Sequence, residues 1–267
     1  MNKAEKALYE LNEMDELANG NSLIHHFSAL IKLLVTIVYI LIVMSFDRYN
    51  LSGLISMAIY PYVLFQISGL SFTGCLYKLR FVLPLVLAIG IFNPLLDREV
   101  FVVLAGIPVT YGWLSFFTIA VKGILAISAS YLLMATTKID AICKAMRKVH
   151  VPSIMTILLL LTYRYVSLMV EEVSVMTNAY HLRAPDQKGI HYTAWGSFLG
   201  QLLLRSMDRA KELYNAMMLR GYQGEFYYVD EKPIEIKDIM YFLIWIVLFW
   251  ICRSINIVQW IGSMFVR

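Results

Sequence analysis

The chain has 267 residues, of which 59% are hydrophobic and only 16% charged, with a mean hydropathy of +0.65. A water-soluble domain of this length carries far more charge, so the composition excludes one and places most of the chain in a bilayer. The net charge of +4 tells less than the placement of the basic residues, and no nucleic-acid partner is expected.

Residues 1–19 do not read as a signal peptide: Glu5, Glu10, Glu13, Asp15 and Glu16 stand where a basic region belongs, and no small-residue cleavage site follows. Ala4, Ala7, Leu8, Leu11, Met14 and Ala18 recur at helical spacing, which predicts an amphipathic helix on a membrane surface or partner, or a solvated one. His25-His26 is the nearest approach to a metal motif. Adjacent helical residues point about 100° apart, so interfacial placement is preferred over metal transfer. Cys75, Cys143 and Cys252 are isolated in sequence and read as small buried apolar residues.

Apolar runs long enough to span occur at about 29–46, 51–73, 81–96, 112–136 and 240–263, since a span needs about 20 residues. In the third, Pro84 is expected in the first turn and Asn93-Pro94 at the end. Asp97-Arg98-Glu99 reads as a polar cap, and Phe101–Val109, with Gly106 and Pro108, as a loop or small hairpin. Lys122 lies inside the fourth run, where a lysine pairs within the bundle, lines a subunit contact or snorkels.

Between Lys138 and Lys237 lie Lys144, Arg147, Lys148, Arg164, Arg183, Lys188, Arg205, Arg209, Lys211, Arg220 and Lys232, more than half of the basic residues with the two ends included. This block is expected in the cytoplasm. Alternation then puts Lys78 and Arg80 inside, Asp47-Arg48 outside, the N-terminus inside and the C-terminus outside, with five spans. Within the block, Asp140–Lys148 predicts a short helix broken before Pro152. Residues 151–172 are apolar enough to span, but Arg164 at mid-bilayer would cost at least ~2.5 kcal/mol. A single helix of about 45 Å from Pro152 to Arg183, at or below the membrane surface, is preferred to a sixth span. The next helix, about 194–220, carries the stripe Leu199, Leu203, Met207, Ala210, Leu213 and Met217, read as core or as an adaptable protein-binding face. Arg205, Asp208, Arg209 and Glu212 are expected to pair three apart on its other face.

These two helices end in an internal repeat: Asn178-Ala179-Tyr180-His181-Leu182-Arg183-Ala184 and Asn215-Ala216-Met217-Met218-Leu219-Arg220-Gly221. Pro185 stops the first helix near Arg183, and Gly221 stops the second at Arg220. A cation at a helix C-terminus gains about 0.3–1 kcal/mol from the macrodipole, which would account for one arginine. Two arginines ending the same local sequence read better as paired contact points for carboxylates or carbonyls of another protein.

Thr162-Tyr163-Arg164-Tyr165, Leu199-Gly200, Leu202-Leu203-Leu204-Arg205-Ser206, Asp208-Arg209-Ala210 and Ala216-Met217-x-x-Arg220-Gly221-Tyr222-x-Gly224, with Phe92-Asn93-Pro94, Thr136-Thr137 and Val151-Pro152, stand in order over residues 22–228. Together they resemble the transmembrane T component of energy-coupling factor transporters, in the cobalt/nickel (CbiQ-type) branch. The resemblance implies an all-α integral membrane protein of about five transmembrane helices plus a cytoplasmic unit of coupling helices. The chain then divides into an N-terminal amphipathic segment (1–21), transmembrane helices 1–4 (22–137), a coupling-helix region (138–238) and a C-terminal transmembrane helix (239–267).

By the same resemblance Arg183 and Arg220 are the coupling arginines, flanked by Leu182, Ala184, Leu219 and Gly221, and dock on two ATP-binding ATPase subunits. Pro185 departs from the family pattern after the first motif. A separate membrane-embedded S component would bind substrate, cobalt or nickel, with Met207, Ala210, Leu213, Met217 and Lys122 as candidate contacts. A T component shared among vitamin-specific S components is the alternative, and a stand-alone channel or receptor a distant one. The expected location is a bacterial or archaeal cell membrane, multi-pass, with the N-terminus cytoplasmic.

No Gly-x-x-x-x-Gly-Lys-Ser/Thr loop is present, so the chain is a non-catalytic subunit that needs ATPase partners for energised transport. A membrane enzyme would need a His-Glu-x-x-His or a Ser/His pair at membrane depth, and neither the motif nor a cofactor or metal site of the chain's own is found. A channel would need charged rings or repeated polar faces, which the spans lack.

Overall fold

The computed structural model describes residues 3–96, 100–104, 107–185, 187, 189–224 and 235–254. The chain divides into two compact units, Ala18–Thr137 with Lys232–Arg267, and Met1–Leu17 with Lys138–Glu231. Almost all of the described structure is helical, as an all-α membrane protein requires when every backbone group must be satisfied within its own segment.

In the first unit α2 (Ala29–Met44) is followed by α3 (Leu51–Ser56), α4 (Ile59–Ser68), α5 (Phe72–Gly90) and α6 (Phe92–Leu96). Strands β1 (Val100–Leu104) and β2 (Ile107–Thr110) pair antiparallel as a hairpin over the stretch expected to be a loop or hairpin. The central helix α7 (Tyr111–Thr136) packs on α2 to α6, and α11 (Ile236–Ser254) packs on α2 and α3. By length and apolarity the helical stretches Leu51–Ser68 and Tyr111–Thr136 can cross a membrane, and Ala29–Met44 is a shorter apolar helix. The polar cap at 97–99 and the part of the last run beyond residue 254 lie outside the described residues.

Several boundaries differ from expectation. The 51–73 run is not one helix: Asn50 caps α3, its side chain accepting from Gly53 N–H at 3.1 Å, α3 ends at Ser56 and α4 begins at Ile59, and α4 stops at Gly69, whose φ of +67° an L side chain resists. With the chain reset at Gly69, α5 starts at Phe72 rather than 81, so Pro84 lies inside the helix instead of its first turn. Lys78 and Arg80, which fall between the two expected runs, are part of the helix. Asn93-Pro94 does not end a helix either. It sits in α6, where the Asn93 amide donates to Ser115 Oγ of α7 at 3.1 Å.

Close helix approach and interlocking rings hold this bundle, since lipid tails offer apolar side chains no worse a medium than each other. A Cβ on Gly123 of α7 would meet Val86 of α5 at 3.0 Å, so the small residue sets that approach. Tyr39 of α2 is fully buried against Tyr60 (ring centroids 4.4 Å) and Phe249 (5.3 Å), and Trp245 meets Tyr60 edge-on at 4.7 Å. The Tyr39 hydroxyl donates to the Met57 carbonyl at 3.0 Å, satisfying a group exposed by the break between α3 and α4.

The second unit contains α1 (Lys3–Ala18, up to Leu17), α8 (Ile139–Lys148), α9 (Ser153–Arg183) and α10 (Trp195–Leu219). Pro152 opens α9 and Pro185 follows it, so α9 runs unbroken for 31 residues, about 46 Å at 1.5 Å per residue. Ser153–Arg183 is also apolar and long enough to cross a membrane. The Tyr163 hydroxyl of α9 donates to Asp15 Oδ1 of α1 at 2.6 Å, which ties the N-terminal helix into this unit. Of the α1 stripe, only the side chains of Met14 and Ala18 are described.

Candidate functional site

The repeated motifs lie at two helix ends built by different chemistry. Arg183 is the last residue of α9; Ala184 closes the helix through its N–H to Tyr180 O at 3.0 Å. The Tyr180 hydroxyl then donates to Gln187 Oε1 at 2.6 Å and accepts from His191 N–H at 3.2 Å, folding the following loop back onto the helix end. Arg220 is the residue after α10. Gly221 N–H donates to Met218 O and Tyr222 N–H to Met217 O, both at 3.0 Å, with Gly221 at φ +82°. That pair of bonds is a Schellman closure, and glycine supplies the left-handed residue it needs.

Both ends present the same surface. Leu182 and Leu219 are 85% and 90% exposed, both arginines are exposed, and among the described residues neither guanidinium has an ion-pair or hydrogen-bond partner. Each end thus sets a bare leucine beside a bare guanidinium, an apolar side chain next to a bidentate charged donor. Ala184 is half-buried and Gly221 exposed, so each small residue lets the chain turn away at once.

The stripe of α10 is not core over its first part. Leu199, Leu203 and Met207 are about half or more exposed and Ala210 is exposed, whereas Leu213 and Met217 are half-buried. The covered side is instead that of Phe198 and Leu202, one step round the helix. On α9, Thr162, Tyr165, Val166, Met169, Val170 and Val173 line a shallow apolar groove. The expected Arg205–Asp208 pair gives way to one between helices, Arg205 to Glu172 of α9, while Arg209–Glu212 forms at 3.7 Å. Glu172 outcompetes because it is more than two-thirds covered and gains more from a counter-charge than exposed Asp208.

In the bundle, Lys122 pairs internally: its ammonium donates to Met44 O at 3.2 Å and Phe46 O at 2.5 Å, carbonyls that the end of α2 leaves open. Arg253 of α11 adds a bond to Ser45 O at 3.4 Å. Two buried charges escaped the sequence reading. Lys32, 5% exposed, donates to the Thr136 carbonyl at 2.8 Å; Asp238, 7% exposed, accepts from Ser28 N–H at 3.0 Å and Glu235 N–H at 3.1 Å. A lone basic residue within the first apolar run and an acidic one just before the last were the available signals.

His25 is occupied by Ser22, with 2.7 Å between the hydroxyl and Nδ1. Among the described residues no three His, Cys, Asp or Glu side chains gather as a metal would require. Burial, helped by Asp140, pushes the Cys143 thiol of α8 above its ordinary range, as suits an inert packing residue.

Helices long and apolar enough to cross a membrane, with no metal-holding cluster among the described residues, define an integral membrane protein. The family model for cobalt transport protein (CbiQ) matches residues 20–229, and the chain belongs to that family. It is 32% identical over 104 residues to the cobalt transport protein CbiQ of Rhodobacter capsulatus, covering 38% of this chain and 42% of that protein. It is 29% identical over 157 residues to an uncharacterised protein of Methanocaldococcus jannaschii, covering 57% of this chain and 53% of that one. The matched segments thus span about half the length of these relatives or less.

Proposed function

We propose that the chain is the membrane-embedded scaffold, or T, subunit of an energy-coupling factor transporter, and that it couples ATP hydrolysis by two partner ATPase subunits to uptake of cobalt or nickel through a separate S component. The observation that carries the reading is the pair of exposed Leu-Arg helix ends, Leu182-Arg183 and Leu219-Arg220, in one compact unit. Closure of the two ATPases would move the two ends relative to one another, and rigid helices of 31 and 25 residues would carry that motion along their length. The exposed apolar face of α10 and the groove on α9 are the surfaces offered to the S component. The chain carries no Gly-x-x-x-x-Gly-Lys-Ser/Thr motif, which supports assigning hydrolysis to the ATPase partners. Cobalt enters from the family description and the Rhodobacter relative's name. The basic block from Lys138 to Lys237 favours a cytoplasmic coupling unit and, by alternation, a cytoplasmic N-terminus in a multi-pass chain.

Affinity purification of the tagged chain in mild detergent, with mass spectrometry of what accompanies it, tests this. Wild type is expected to bring two ATPase subunits and a small membrane protein, and Arg183→Ala/Arg220→Ala to lose the ATPases while remaining inserted. A wild-type chain that purifies alone would make the arginines helix caps and return the protein to the channel or receptor class.

A further inference from the structure

The chain enters the bundle unit at Ala18, leaves it after Thr137 and returns to it at Lys232, so motion carried along the backbone between the two units passes through these three points. A buried charge of the bundle is bonded close to each of the last two. Lys32 of α2 donates to the Thr136 carbonyl, one residue before the chain leaves, at 2.8 Å with both groups buried. Asp238, in the first turn of α11 after the chain returns, takes Ser28 N–H on one carboxylate oxygen at 3.0 Å and Glu235 N–H on the other at 3.1 Å. Ser28 immediately precedes α2, so both anchors end on the same five-residue stretch, Ser28 to Lys32. The Asp238 carboxylate also acts electrostatically on the Lys32 ammonium. Phe27 stacks on Tyr241 at 4.6 Å and reinforces the junction on its apolar side.

A buried lysine and a buried aspartate at a helix junction cost more than apolar residues of equal volume, and packing alone does not call for them. What they add is direction, since each bond fixes one strand of the connection to α2. Thr137 supplies a second observation. Its hydroxyl is buried with no partner among the described residues, a polar group left waiting at the point of departure.

We propose that Lys32 and Asp238 are positioning residues of the transport cycle, a two-sided clamp that fixes the departing and returning connections to α2 and so passes movement of the coupling unit to α2, α7 and α11. This rests on the coupling role proposed above.

The test reconstitutes the tagged complex in liposomes, with radiolabelled Co2+ as probe, and reads Co2+ taken up per ATP hydrolysed. Lys32→Met and Asp238→Asn are expected to retain ATPase subunits and hydrolysis but to lower that ratio by about tenfold, a usual size for one coupling step. Lys32→Arg, which keeps a donor and a charge, is expected to restore most of it. Because each single variant leaves one buried charge unbalanced, Lys32→Met/Asp238→Asn is run beside them as a neutral pair, and its ratio must fall too. Amide exchange on the same complexes is expected to rise at Thr136–Lys138 and Glu235–Ile239 and to stay unchanged in the middle of α7. Variants that match wild type in ratio and exchange, while wild type is coupled, overturn the clamp alone. A wild-type chain that recruits no ATPase overturns the coupling reading and the clamp's role together, so the two failures are separated by the wild-type lane.

Discussion

Reversing Arg205 is the sharpest probe of whether α9 and α10 act as one body. Arg205 and Glu172 join the two helices well away from their arginine ends, with side chains 52% and 27% exposed. An exposed pair contributes roughly 0.2–1 kcal/mol, and the cover over Glu172 puts this one near the upper end, about 1 kcal/mol. Arg205→Glu both removes that attraction and sets two carboxylates against each other, for a total of about 1–2 kcal/mol, or a five- to thirtyfold larger share of splayed helix pairs. Spin labels at Leu182→Cys and Leu219→Cys, both highly exposed, report the separation of the two ends by pulsed dipolar spectroscopy in nanodiscs. Labelling is selective because Cys75, Cys143 and Cys252 are buried. Arg205→Glu is expected to broaden the distance distribution, Glu172→Arg to do the same, and the swapped double variant to narrow it again. Raising the salt to about 1 M, where the Debye length is near 3 Å, shrinks the difference between wild type and single reversals. If both single reversals leave the distribution unchanged, the pair does not hold the helices together and the rigid-lever picture fails.

Two further substitutions separate packing from docking. Tyr39→Phe deletes the buried bond to Met57 O and is expected to cost about 1 kcal/mol, whereas Tyr39→Ala also empties the space between Tyr60 and Phe249 and should cost about 3–5 kcal/mol. Thermal denaturation in detergent measures both, and a Phe variant as unstable as the Ala one would refute the assignment. At φ +82° and with open space around it, Gly221→Ala meets only backbone strain, about 1 kcal/mol, so it should unravel the Schellman closure and reduce ATPase recovery with Arg220 intact. Gly196→Ala, in open space at the start of α10, is the matched substitution that should leave recovery unaltered.

The helix ends were legible because proline and glycine act locally. Pro152 and Pro185 bracket α9, and Gly221 closes α10 without help from distant residues. The start of α5 was not legible, because Lys78 and Arg80 look like a loop within an apolar run although a long basic side chain sits comfortably in a helix. The face of α10 was misplaced for a related reason. Periodicity finds an apolar stripe but not which of two adjacent stripes is covered, and here Phe198 and Leu202 are covered while Leu199 and Leu203 are bare. Lys32 and Asp238 lie 206 positions apart, at the edges of two runs that each qualify as apolar, and only the fold brings their bonds onto one short stretch before and within α2.

The bare apolar residues of α9 and α10 carry one further argument. Ile154, Met155 and Leu158 of α9 are each more than half exposed, as are Leu199 and Leu203 of α10. A solvated pair of helices would not keep such a surface, since exposed apolar area of this extent marks an interaction site. Full immersion in lipid fits no better, because the same helices carry Arg164, Glu171, Glu172, Arg205 and Arg209, and a charge at mid-bilayer costs at least ~2.5 kcal/mol. A surface too apolar for water and too charged for the bilayer centre is suited to the membrane boundary with another protein laid against it. On the scaffold function proposed above, that is where the chain would meet a membrane partner and ATPases, which would give the uncovered face of α10 and the two arginine ends a single explanation.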